Sequence, residues 1–174
     1  MTETTTLDDS RVAAGDDRYS PATEHRPLAG YAALLGLYGL AVAAGAVGVR
    51  RRGRPLPDVR PVDVVLIGVA THKLARRVSK DSVTSPLRAP FTRYEGVSGP
   101  GELQEGVRGR GFRKAVGELV SCPFCLSQWV ATGFAFGLVS APRATRWAAS
   151  VFSALALADF LQFAYVWAEQ QAEG

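Results

Sequence analysis

LAGYAALLGLYGLAVAAGAVGV, residues 28–49, carries no charged side chain. At about 1.5 Å per residue this stretch makes a helix of about 33 Å, enough to cross the hydrocarbon of a bilayer. The rival reading is a cleaved secretory leader, since Ala44-Gly45-Ala46 offers small residues. A leader needs a basic region before its apolar core. Here the preceding residues are acidic, and the basic run RRRGR follows. The stretch therefore reads as a retained anchor.

Upstream, residues 1–27 hold six acidic side chains against three basic ones and little that is apolar, so they are expected to be disordered. Downstream, Arg50, Arg51, Arg52, Arg54 and Arg60 crowd one short stretch. Lys and Arg in short loops are retained in the cytoplasm. The first helix is thus expected to run from outside to inside.

Residues 61–80, PVDVVLIGVATHKLARRVSK, are harder to place. Pro61 can open a helix and Asp63 suits its first turn. The uncharged run from Val64 to Thr71 is too short to span, and His72, Lys73, Arg76, Arg77 and Lys80 follow it. An in-plane or half-inserted amphipathic helix is the expectation. A true crossing is the competing reading, because polar helix ends can snorkel. Residues 81–111, with three prolines and six glycines, read as a loop. Residues 112–121 resume helical spacing as an interfacial segment.

From Pro123 to Ser140 the chain is again uncharged, at the short end of what can cross. Residues 147–167 form the last apolar run, with Trp147 at one end and Tyr165 and Trp167 at the other as interfacial anchors. Of the 20 Lys and Arg residues, 15 lie between positions 50 and 114. Three crossings with the N-terminus outside put all of these on the cytoplasmic face, whereas four would divide them. The expected fold is therefore all-α: an integral membrane bundle of three spanning helices plus cytoplasmic amphipathic helices. Its parts are an acidic tail (1–27), a first membrane helix (28–49), a basic cytoplasmic region (50–122), a membrane hairpin (123–167) and a short tail (168–174). The net charge of +4 is concentrated beside apolar runs and points to a membrane surface, not to nucleic acid.

ATHKLARRVSKDSVTSPLRAPFTRYEG (70–96), GELVSCPFCLSQWV (117–130) and ALADFLQ (156–162) together resemble an uncharacterised family of small bacterial membrane proteins. That family is catalogued as a domain of unknown function, with some members named for sporulation. The likeness covers roughly residues 59–167. It implies a multi-pass membrane protein and supplies no catalytic residues.

The only two cysteines, Cys122 and Cys125, frame Pro123 and Phe124 where a helix should begin. A helix N-terminus favours thiolate, as in redox pairs. Such pairs sit on a βαβ framework, for which the sequence gives no pattern, and a cytoplasmic pair stays reduced. A zinc site needs four ligands. The two thiols with His72 and either Glu118 or Asp81, or four thiolates from two chains, would meet that need. The plainer reading is that small side chains pack at a helix entrance.

Asp159 lies inside the last apolar run, about 12 Å from Trp167 along the helix axis. A carboxylate at such depth usually faces a partner or water. The expected partners are Gln128, Ser127 or the polar end of 61–80, His72 included. The role is either an interhelical clamp or a proton or substrate site. Small-xxx-small spacings, Gly133 to Gly137 among them, favour close helix packing or a homodimer.

Lys73, Arg76, Arg77, Lys80, Arg88 and Arg93 form the expected contact with anionic lipid headgroups, each charge near the surface worth about 1 kcal/mol. No catalytic set is evident. The expected role is a non-enzymatic module that binds lipid or a protein partner. The alternative is a membrane thiol-redox or zinc protein using Cys122 and Cys125.

Overall fold

Helix α2 (Pro61–Lys80) packs between two apolar helices, and the rest of the architecture follows from what surrounds it. The computed structural model describes Tyr19, residues 26–53 and residues 55–173. Most of the expected disordered tail, with Arg54 and His25, lies outside those residues. The other described elements are α1 (Leu28–Arg51), α3 (Ser85–Arg88), β1 (Thr92–Gly99), β2 (Glu102–Val107), α4 (Gly111–Ser121), α5 (Pro123–Ser140) and α6 (Pro142–Glu173).

Local chemistry sets the helix ends. Pro61 occupies the first turn of α2, and the Asp63 carboxylate accepts the Arg60 backbone N–H at 3.3 Å. That satisfies one of the donors a helix start leaves open. Arg50 and Arg51 close α1, where cations suit the negative end of the helix dipole.

Three contacts fix the direction of α2. Asp63 meets Arg146, the Leu66 carbonyl accepts the Ser153 hydroxyl at 2.9 Å, and Lys73 meets Asp159. Contact positions rise together along both chains, so α2 and α6 run parallel. α5 returns antiparallel to both, through the tight turn at Ala141, where a Cβ on Gly137 would lie 2.7 Å from Thr145 Oγ1. α1 follows α4 and α5. Gly30 touches Ala115, Tyr38 donates to or accepts from Thr132 at 2.8 Å, and Gly45 lies under the Phe136 ring. The core lies where α2, α5 and α6 meet. Ala70, Phe134 and Ala149 are buried there, with Leu66, Ile67, Leu74, Val130 and Phe152 around them. The two alanines let the backbones of α2 and α6 approach closely.

Among the described residues, two helices are long and apolar enough to cross a membrane, α1 and Pro142–Ala172 of α6. α4 and α5, bent by 79° at their junction, add a third if they count as one span. Large side chains such as Leu35, Leu40, Leu157 and Phe160 are exposed on these helices.

Three expectations need correction. α2 does not stand apart from the apolar helices, because Asp63 and Lys73 find counter-charges on α6 and its small residues pack against α5 and α6. Residues 81–111 are not an open loop. β1 and β2 form an antiparallel hairpin, with Gly99 opposite Glu102. Pro100 sets the first corner of the turn, and Gly101, at φ +73°, takes the left-handed position that the second corner requires. The described residues are therefore mostly helical with one small sheet. Residues 168–173 are not a separate tail, since α6 runs on to Glu173.

Candidate functional site

Two charge pairs join α2 to α6. Asp63, 1% exposed, receives two hydrogen bonds from Arg146, Nε at 2.8 Å and Nη2 at 2.9 Å. Such a bidentate fork is the strongest geometry available to an ion pair. About three turns along α2, Lys73 pairs with Asp159. Asp159 thus finds its partner at the polar end of α2, but the partner is Lys73, not His72, Gln128 or Ser127. Gln128 belongs to another side of α5. Its carbonyl accepts the Thr132 hydroxyl at 2.8 Å, and that hydroxyl meets Tyr38 of α1.

Beyond the C-terminus of α2, α3, the hairpin and α4 form a charged cap. Arg88 is its centre, with a side chain 0% exposed. It donates to Glu105 at 2.6 Å, to the Val78 carbonyl at 2.7 Å and to the Asp81 carbonyl at 3.0 Å. It therefore ties the last turn of α2 to β2. Arg88 was expected to meet lipid headgroups and is instead internal to the protein.

Three more of the six expected headgroup contacts are paired with carboxylates, Arg76 and Arg77 while still about half exposed. Lys73 is buried against Asp159, Arg76 grips Glu102 with bonds of 2.6 and 2.8 Å, and Arg77 lies 3.3 Å from Asp81. Lys80 and Arg93 make no ion pair among the described residues. Cations outside the expected set join them. Arg108 donates to the Ala89 carbonyl at 2.6 Å and Arg113 to the Pro90 carbonyl at 2.5 Å, while Arg110 precedes α4. A carbonyl holds a guanidinium without cancelling its charge. The sequence listed these arginines in the basic run, but which of them meet carboxylates depends on the register of the hairpin.

Cys122 and Cys125 are free thiols at the α4–α5 bend. Cys122 Sγ accepts the Cys125 backbone N–H at 3.3 Å, so the first sulfur caps α5. The ligands expected beside them are engaged elsewhere. Glu118 accepts the Tyr31 hydroxyl, and Asp81 accepts the Val83 N–H at 2.9 Å. His72 lines a cavity on the α6 side of α2. Among the described residues, no three His, Cys, Asp or Glu side chains gather as a metal ion requires.

That cavity, about 610 Å³, lies between the C-terminal half of α2, the hairpin turn and α6. Lys73, Arg76 and Arg77 line it with Asp81, Glu102 and Asp159, giving three charges of each sign. Ala156, Phe160 and Phe163 supply an apolar wall on α6. Both phenyl rings are mostly exposed.

These features define a class: a helical protein with two or three membrane-length apolar helices, a charge-paired helix among them and a basic cap at one end. More particularly, the chain belongs to the family described as "Protein of unknown function (DUF1360)", which matches residues 66–165. The match takes in the three-helix core, the cavity, the cap and both cysteines, and leaves α1 and Asp63 outside. The chain is also similar to "Sporulation protein YjcA" of Bacillus subtilis (strain 168), at 27% identity over 107 residues, covering 60% of this chain and 91% of that protein. No solved structure matches.

Proposed function

We propose that the protein is a non-enzymatic membrane module whose cap binds anionic lipid headgroups at the cytoplasmic face. The observation that carries this reading is the uncancelled charge of Lys80, Arg93, Arg108, Arg110 and Arg113. It sits at the end of a bundle whose flanks are exposed leucine, valine and phenylalanine. Apolar flanks need lipid around them, and cations at the rim of such a bundle meet the headgroup layer.

The reading places α2 in the bilayer as a fourth crossing. It lies lengthwise along α6, whose stretch from Trp147 to Trp167 covers about 30 Å. Its charges enter the membrane as pairs, the form in which intramembrane charges are tolerated. The cap and the residues 50–60 then lie on opposite sides. α1 starts at the cap end, where Tyr31 meets Glu118, so its first turn shares the cap's side, in place of the outside location expected from three crossings. Among the described residues this division assigns 11 Lys and Arg residues to the cap side and 6 to the other, which makes the cap side cytoplasmic.

Two experiments test it. In a chain with Cys122→Ser and Cys125→Ser, a membrane-impermeant maleimide applied to intact cells should label Arg52→Cys and spare Ser98→Cys until lysis. Labelling of neither position, or of Ser98→Cys alone, overturns the arrangement. In detergent, phosphatidylglycerol should raise the melting temperature more than phosphatidylcholine, and the gain should shrink with salt. An equal gain from both lipids overturns the headgroup role.

A further inference from the structure

We infer that the cavity between α2, the hairpin turn and α6 is a site for one zwitterionic aminophospholipid, with its headgroup among the paired charges and an acyl chain along Phe160 and Phe163. The inference rests on the membrane reading above but concerns a different surface from the cap's cationic rim.

Charge balance selects the headgroup. The lining carries three cations and three carboxylates, so a purely anionic headgroup would meet as much repulsion as attraction. A phosphate joined to a primary ammonium presents both signs at once. The residues retain capacity for both. Arg76 uses Nε and Nη2 on Glu102, which leaves Nη1. Arg77 reaches Asp81 through Nη1. Asp159 uses Oδ2 on Lys73, and its Oδ1 makes no hydrogen bond among the described residues. Guanidinium N–H groups and the His72 ring suit phosphate oxygens, and carboxylate oxygens suit ammonium N–H groups. A quaternary ammonium has no N–H to give, so choline lipids should bind less well.

Depth and shape agree with this. Because α2 and α6 run parallel and Lys73 meets Asp159, Arg77 lies level with Phe163, about 24 Å along α6 from Trp147 and about 6 Å from Trp167, where headgroups give way to acyl chains near the cap side. Asp81 and Glu102 line the cavity at its cap end, and Phe160 and Phe163 line its α6 wall. A volume of about 610 Å³ holds a headgroup with the start of its chains.

The test uses the full chain, delipidated in detergent, with dioctanoyl phosphatidylethanolamine, phosphatidylglycerol and phosphatidylcholine as probes, read by native mass spectrometry and thermal shift. Phosphatidylethanolamine should bind at least tenfold tighter than the other two. Phosphoethanolamine without acyl chains should bind at least tenfold more weakly than the lipid. Glu102→Gln, in a half-exposed pair, and Phe163→Ala, on an exposed face, should each weaken phosphatidylethanolamine about tenfold. Phosphatidylglycerol binding as tightly as phosphatidylethanolamine, or affinity untouched by both substitutions, overturns the inference. So does equal binding of the tail-less compound, which would make the site one for a soluble zwitterion. The cap is tested separately: combining Arg108→Gln, Arg110→Gln and Arg113→Gln should abolish the salt-sensitive phosphatidylglycerol response and leave phosphatidylethanolamine binding intact. Each reading can thus fail while the other stands.

Discussion

α1 is uncharged from Leu28 to Val49, and none of its most apolar window is buried inside the protein. α2 carries Asp63, Lys73, Arg76, Arg77 and Lys80, and it buries Asp63, Ala70, Thr71, Lys73, Ala75 and Ser79. The helix most legible as a span is the one the protein covers least. The helix least legible as a span lies at its centre. Apolarity along a membrane helix records how much of it must face lipid. The face of a helix turned to its neighbours is released from that demand and can carry charges, provided a neighbour returns the opposite sign, while the other face of α2 keeps Val62, Val64 and Val65 exposed. α6 does so for α2 at Arg146 and Asp159.

Substitutions that separate the two helices should break or sharpen this contrast. The largest effect is expected where buried charge anchors α2. Arg88→Met leaves Glu105 buried without its counter-charge and should cost about 3–5 kcal/mol in denaturation measured in micelles. Adding Glu105→Leu should recover most of that loss, since an apolar pair of similar volume replaces a buried ion pair well. A double variant no better than the single one would mean that Arg88 matters through the α2 carbonyls instead. Ala70→Leu should come next, at about 1–3 kcal/mol, because Ala70 is enclosed by α5 and α6 and has no room for three more carbons. Leu40→Ala on α1 should be smallest, within about 0.5 kcal/mol, since Leu40 is 70% exposed. If Leu40→Ala costs as much as Ala70→Leu, α1 has a protein partner and the contrast is wrong.

Much of the helical framework was legible, because long uncharged runs and their Trp, Tyr, Arg and Pro boundaries are local signals. The need for a partner to Asp159 was legible too, since a lone carboxylate inside an apolar run demands one. Which residue answers it was not, because the parallel packing of α2 on α6 brings together residues 86 positions apart. The hairpin was written in the Pro100-Gly101 corner between Thr92–Val97 and Glu102–Val107, but four glycines over that stretch read more readily as a loop. The fate of the arginines hung on that miss. Once β2 is in place, Glu102 and Glu105 claim Arg76 and Arg88, and the surface charge passes to Arg108, Arg110 and Arg113.

The parallel pairing of α2 with α6 also sets an order of events during synthesis. Arg146 is made 83 residues after Asp63, and Asp159 is made 86 residues after Lys73. At about 5–20 residues per second, α2 waits about 4–17 s for the helix that neutralises it. Over that interval it has the character its own sequence declares, an amphipathic segment with bare charges, and it takes its central place only when the last helix arrives.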